Sequence, residues 1–441
     1  MRSSIPLYAL ALAGGAAASP TPGLISDLLG NLATMITSDL NVLLKALGVV
    51  LQNDASKHGA ALPYHDQCPF TVDPVDVSDV RHSHTIGWPK GVNGGNFIDW
   101  KTYKANGANL GSWLEKEKTH DPIWWSSVGG DSVMDEWSLC QLLGSKCGPV
   151  LEARYASFLN TTTIDQLASV GVNTLRIPTT YKPGSIFQDL SCTMASNRLT
   201  SRPSPSGVNS LDIGEAFRHG DWFQNTTNLA YSFQAIDGIL SFIKASGHTN
   251  VFTIAPINEA SDTHLAGFGT DAGLTDAGVN WINTYHQGVL KKIAKVDSRI
   301  PMMIQDCFKG AGFWAPFYNS SNNIVFDSHV YYFAAAGTYS QYVNPAVCGQ
   351  AAYIKNGTTF PVFVGEWSLQ TMYNNTFAGR KTIFDTQRYA WQNYVAGGSF
   401  WTAVSYATDK VDGEGTVRDY WSFIDLINAG VITTQTNSSY C

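Results

Sequence analysis

The sequence predicts an α/β fold: a (β/α)₈ barrel whose third βα unit is truncated, preceded by an N-terminal helical segment. Three observations lead there. From Asn106 onward, short apolar runs alternate with longer helical patterns, the form that repeated βα units give to a parallel sheet. Seven strand candidates follow one another in that order along most of the chain, which favours a barrel over a doubly wound sheet. The glycine-rich phosphate fingerprint of a doubly wound sheet is absent.

The first 18 residues carry Arg2, an apolar run from Ile5 to Leu12 and the small residues Gly14 to Ala18 before Ser19-Pro20. That is a secretory-signal pattern, since the apolar run falls far short of the roughly 20 residues that span a bilayer. Residues 19–66 form a helical pro-segment or flap: Ile25, Leu28, Leu29, Leu32, Met35, Ile36, Leu40, Leu43, Leu44 and Leu47 stand near helical spacing. A stretch rich in Asp, Pro and Gly from Gln67 to about Asn96 then opens the main domain, 67–441.

Within that domain the expected strands are Asn106–Gly111, Asn173–Ile177, Val251–Ile257, Pro301–Gln305, Ile324–Ser328, Pro361–Val364 and Ser399–Ala403. Helical patterns fall at Thr162–Val170, Asn228–Ser246, Asp276–Val296 and Arg380–Val395. Between Tyr181 and Asn228 a barrel needs one more helix and its third strand. The chain supplies instead KPGSIFQDLSCTMASNRLTSRPSPSGVNS, which has no β-branched apolar run. The 182–207 segment therefore reads as a lost helix and strand, the result a wrong intron boundary would give.

Composition narrows the function classes. Charged residues make up 14% of the 441 and aromatics 12%, against a usual charged share of about 25%. A net charge of −7 with no Lys/Arg cluster opposes phosphate backbones, so nucleic acid is excluded as a partner. Six Asn-x-Ser/Thr sequons, at Asn160, Asn225, Asn319, Asn356, Asn374 and Asn437, become glycosylation sites once the chain is secreted to the cell exterior or wall. Seven cysteines imply three disulfides and one leftover thiol, with Cys192 the candidate for the odd one. Cys140 and Cys147 suit a local bridge, whereas Cys68, Cys307, Cys348 and Cys441 would pair over long loops. No CxxC or His-rich spacing suggests a metal site, and no cofactor is expected.

The chemistry concentrates at two strand ends. TIAPINEA places Asn258-Glu259, and PVFVGEWS places Glu366, where a parallel barrel builds its active site. Asn-Glu alone is equally a structural cap. Together, the two carboxylates supply the acid and the nucleophile of glycoside cleavage, provided that they face each other about 5 to 5.5 Å apart.

Further motifs stand in order along the chain. ANLGSWLEKE, NTLRIP, APINEA, SHVYY, FVGEWS and SFWTA together resemble glycoside hydrolase family five, and within it the fungal exo-β-1,3-glucanases, from about Trp100 to Ile432. The resemblance implies that Glu117 holds the terminal sugar, that Arg176 supports the nucleophile, and that His329 and Tyr331 belong to the His-x-Tyr motif. It makes Trp401 the tryptophan on which a sugar ring stacks. Ala260 stands where proline is common, and nothing matches the family's third-strand histidine.

Each role also has a physical reading. Arg176 beside Glu366 would lower its pKa and keep it ionised for attack, while a buried, less compensated Glu259 would keep its proton as general acid/base. Asn258 would donate to the sugar 2-hydroxyl, Tyr331 to the nucleophile, and His329 would order the acid side. Taken alone, His329 reads as a satisfied core histidine and Trp401 as a common core residue. Asp412, Glu414, Arg418, Asp419 and Trp421 either shape outer subsites or form a solvated loop, and His120, Trp124 and Trp125 either line a subsite or pack one. The expected activity is retaining hydrolysis of β-glucan by a monomer, as a glucan exo-1,3-β-glucosidase. The alternatives are a β-1,6-glucanase, another β-glucosidase, or a catalytically impaired carbohydrate-binding protein.

Overall fold

The computed structural model describes residues 96–179, 207–211, 213, 217–246, 249–434 and 440–441. All belong to one compact unit that takes in residues 84–441. The expected signal (1–18) and helical segment (19–66), Cys68, Cys192, and the truncated stretch up to Ser206 lie outside the described residues.

Six strands form one parallel sheet: β1 (Ala105–Asn109), β2 (Thr174–Arg176), β3 (Met302–Gln305), β4 (Ile324–Val330), β5 (Val362–Trp367) and β6 (Gly397–Phe400). Their order is β2-β1-β6-β5-β4-β3, so the sheet curls into a partial (β/α) barrel. Every residue of β3 to β6 is buried, as expected where helices cover one face and side chains fill the other. One of the seven expected strands, the third, is a correction. Val251–Ile257 yields a 3₁₀ turn at Thr249–Val251 and a lone bridge from Ile254 to Met302. Pro256 has no N–H with which to continue that ladder. Among the described residues β2 pairs only with β1, and Leu175 and Ile177 are 39% and 46% exposed, unlike the core strands.

The expected helices form at Thr161–Ser169, Thr226–Ser246, Asp276–Asp297 and Arg380–Tyr394. Asn160 caps the first by accepting from Thr163 N, and Thr275 caps the third by accepting from Gly278 N. In the third, Val279, Ile282, Val289 and Ile293 are buried at helical spacing, each contributing about 1.5–3 kcal/mol of apolar burial. Helices at Glu136–Leu143, Cys147–Phe158, Val343–Ile354 and Phe423–Asn428 are additional to those expected. The first of these starts on a capping box between Asp135 and Ser138.

Cys140 bonds to Cys147 as expected, and Cys348 bonds to Cys441 across a separation of 93 residues. Cys307, expected to pair over a long loop, instead carries a free thiol, buried where Gln305 Oε1 accepts from its backbone N–H. The leftover thiol among the described residues is thus Cys307.

Candidate active site

The strand ends of the partial barrel converge on a buried cluster. β2 ends in Arg176, whose guanidinium reaches four neighbours. Nη1 donates to Glu366 Oε1 at 2.7 Å and to Asn109 Oδ1 at 3.0 Å, Nη2 donates to Asn258 Oδ1 at 2.7 Å, and Nε lies 3.6 Å from Asp327 Oδ2. Asn109, at the end of β1, is itself fixed because its Nδ2 donates to the carbonyls of Gly365, Ser399 and Phe400.

Asp327 and His329 alternate on β4, and Tyr331 follows its last residue, Val330, in the same alternation, so the three side chains point to the inner face. Between Ser328 and His329 the β4–β5 register shifts: Ser328 faces Val364 but His329 faces Glu366, so the ladder skips Gly365. Such a bulge re-aims a side chain next to a site. His329 Nδ1 is thereby placed 2.7 Å from Glu259 Oε1 and 3.4 Å from Glu366 Oε2. Tyr331 donates its hydroxyl proton to Glu366 Oε2 at 2.9 Å. Glu259 sits at φ 44°, and Asn209 Nδ2 donates to its carbonyl at 3.2 Å. One side-chain nitrogen or oxygen from each of Glu259, His329 and Glu366 lies within 4.8 Å of the other two.

The outer wall is made by the segment after β1. Trp401 Nε1 donates to His120 Nε2 at 2.9 Å, which puts the imidazole proton on Nδ1, 2.9 Å from Ser405 Oγ. Glu117 Oε2 lies 3.7 Å from the same His120 Nε2. A Cβ on Gly111 would come within 2.6 Å of Trp401 Cζ2, so only glycine lets the indole lie against this turn. Trp421 stacks on Tyr331 with centroids 5.2 Å apart, and its Nε1 donates to Gln370.

Electrostatics follow from burial. Burial raises the Glu366 carboxyl above the ordinary range and outweighs the lowering by His329 and Arg176, so the expected net depression of its pKa does not occur. Burial opposes a charged His329, but the Glu366 and Asp327 carboxylates and hydrogen bonding carry it up to about 10. Burial also pushes Glu117 well above its usual range and His120 down to about 4.

All eight residues expected from the sequence are placed by these contacts: Arg176, Asn258, Glu259, His329, Tyr331 and Glu366 in the cluster, Glu117 and Trp401 on its wall through His120. Of the tail residues, Trp421 joins the site. Asp412 and Glu414 instead fasten two loops, accepting from Asn374 N and Phe377 N, and Arg418 pairs with Asp425. Trp125 is fully buried, while Trp124 packs against Lys116 and Arg154. Sequence reading missed Asn109, although it lies in the NLG motif, and Asp327, although it precedes the His-x-Tyr motif at the alternation that shares its face.

No family model matches the chain. It is 26% identical over 292 residues to probable glucan 1,3-β-glucosidase A of Aspergillus niger, a match covering 62% of this chain and 66% of that relative's length. The crystal structure of rutinosidase from Aspergillus niger superimposes with a TM-score of 0.70 at 38% identity, covering 77% of this chain and 100% of that one. The structure of AoRut does so with a TM-score of 0.70 at 39% identity, covering 76% and 99%. With those strand-end motifs in this geometry and a likeness of 38% identity over 77% of the chain, the chain belongs to glycoside hydrolase family five, among the glucan 1,3-β-glucosidase-like proteins.

Proposed function

We propose that the protein is a retaining hydrolase of β-glucosidic bonds that works by double displacement. Glu366 attacks the anomeric carbon while Glu259 protonates the departing oxygen; Glu259 then takes a proton from the water that releases the sugar. The observation that supports this reading is that a carboxylate oxygen of Glu259 and one of Glu366 lie within 4.8 Å of each other, close to the about 5–5.5 Å separation of retaining sites and short of the about 6.5–9.5 Å of inverting ones. Arg176 and Tyr331 orient Glu366, and His329 orients Glu259. Asn258, free to turn its amide nitrogen toward the sugar while Oδ1 accepts from Arg176, meets the 2-hydroxyl. Glu117 and Trp401 hold the terminal ring. Proton NMR of the first-formed product tests this: the β-anomer must appear before mutarotation, and first appearance of the α-anomer would overturn it.

For substrate we propose exo-cleavage of β-1,3-glucan, after the curated relatives. A second reading, cleavage of rutinosides, is favoured by the rutinosidase likeness, which is higher in identity and extends over that whole chain. Product profiles on laminarin, pustulan and rutin separate these, and no turnover of any aryl β-glucoside would favour a carbohydrate-binding role.

We further propose that residues 1–18 are removed on secretion, that 19–66 are a pro-segment or flap, and that the enzyme is a monomer. The sequons Asn160, Asn319, Asn356 and Asn374 are exposed, as glycosylation in the secretory path requires. Among the described residues no helix is long and apolar enough to cross a membrane.

A further inference from the structure

Asp327 has no role in the chemistry above, yet it lies beneath the whole cluster. Its side chain is fully buried on the inner face of β4, and neither carboxylate oxygen has a hydrogen-bond partner among the described residues. Burying a carboxylate without hydrogen bonds is costly unless opposite charge compensates it. Two groups do so: Oδ2 lies 3.6 Å from Arg176 Nε and 3.5 Å from His329 Nε2. Those two groups themselves approach each other, with Arg176 Nη2 3.4 Å from His329 Nε2. If His329 carries both its protons, two cations meet at that distance and need an anion between them on the barrel side. Asp327 occupies that place. The adjoining strand is shaped for it: a Cβ on Gly365, the bulged residue before Glu366, would overlap the Asp327 carboxylate.

We propose that Asp327 is a positioning residue, a buried counter-ion that holds Arg176 and a doubly protonated His329 together so that they aim Glu366 and Glu259 at the same bond. This rests on the retaining-hydrolase reading of the site. The groups facing His329 are Arg176 from β2, Asp306 at the end of β3, Glu259, Glu366 from β5 and Asp327 on its own strand. Glu259 and Glu366 both face Nδ1, so Asp327 is the anion that faces Nε2 directly.

The test uses Asp327→Asn, which keeps the shape and removes the charge, on the full chain. Histidine ¹⁵N NMR, with His329→Gln to assign the signal, reads the protonation of His329 irrespective of turnover. In the unsubstituted protein both ring nitrogens should stay protonated past pH 8; titration near 6.5 would overturn the proposal without any variant. In Asp327→Asn the midpoint should fall by about one to three pH units. With an aryl β-glucoside, kcat should drop by about 100-fold with KM little changed, since misaimed carboxyls lose transition-state contacts more than ground-state ones. The alkaline limb of the kcat profile should move to lower pH. A folded Asp327→Asn protein with unchanged kcat and His329 titration would show that the residue only fills space. If the unsubstituted protein turns over no glycoside yet His329 titrates as expected, the hydrolase reading fails and the counter-ion assignment stands.

Discussion

Arg176 Nη2 donates to Asn258 Oδ1 at 2.7 Å, so the guanidinium at the end of β2 reaches directly to the segment that carries the proposed acid. No described strand lies between β2 and the Ile254 bridge, and this side-chain contact ties the two together. The same guanidinium also grips Glu366 and Asn109. Lysine, a point charge without a planar fork, cannot span three acceptors. Arg176→Lys should therefore lower kcat by about 100-fold, the scale seen when one fixed donor at a reacting centre is lost, with a smaller change in KM. Steady-state kinetics on an aryl β-glucoside check it; a variant within a few-fold of the unsubstituted enzyme would mean that Glu366 is aimed without Arg176, by Tyr331 and His329.

Glu366 and Glu259 should respond differently to truncation. A fluorinated glucoside with a good leaving group needs a nucleophile but little acid assistance. Glu259→Ala should still accumulate a covalent sugar adduct, visible as a mass increase on the intact protein. Glu366→Ala should show none. The reverse pattern would exchange the roles of the two residues.

The order of six strands and the gathering of the eight candidate residues were legible because each motif is short and local. Period-two alternation delivers His329 and Tyr331 to one face without any knowledge of the rest. What depended on neighbours was not legible. Asp327 lies on that same face, but its role exists only where Arg176 from β2 and the glycine bulge at Gly365 come against it. The net direction of the Glu366 pKa also escaped, because Arg176 could be read from the sequence whereas the depth of burial that outweighs it could not. Pairing of Cys348 with Cys441, and the free Cys307, were equally beyond spacing. The helix at Val343–Ile354 was missed because VNPAVCGQAAYI mixes Pro, Gly and small residues without a clear apolar stripe.

The Cys348–Cys441 bond fastens the chain end to the helix at Val343–Ile354. It closes a loop spanning 93 residues, and loss of that constraint on the unfolded chain costs about 2–5 kcal/mol. The double variant Cys348→Ser/Cys441→Ser should unfold at lower urea by a corresponding amount while keeping KM. Neither residue is among those placed at the site. Unchanged stability would mean that the C-terminal segment is held by its other contacts.

The final prediction concerns pH. Glu115, partly exposed beside the site, is raised from its ordinary 4.5 to about 8, first by burial and then by Glu136 and Glu366. In the folded protein it keeps its proton between those two values, whereas the unfolded chain loses it near 4.5. The unfolded state therefore binds fewer protons across this window, and stability falls as pH rises. The effect is absent below about 4.5 and complete above about 8. Its slope is at most about 1.4 kcal/mol per pH unit, reduced by solvent screening of the exposed part. His329, held up to about 10, slopes the same way above its ordinary 6.5, but it is present with or without a substitution at Glu115 and cancels in a comparison. Glu115→Gln has no proton to lose, so its stability relative to the unsubstituted protein should grow from pH 5 to pH 8. Urea unfolding of both proteins across that range measures the difference. A gap that stays constant with pH would show that Glu115 ionises as freely in the fold as in the open chain.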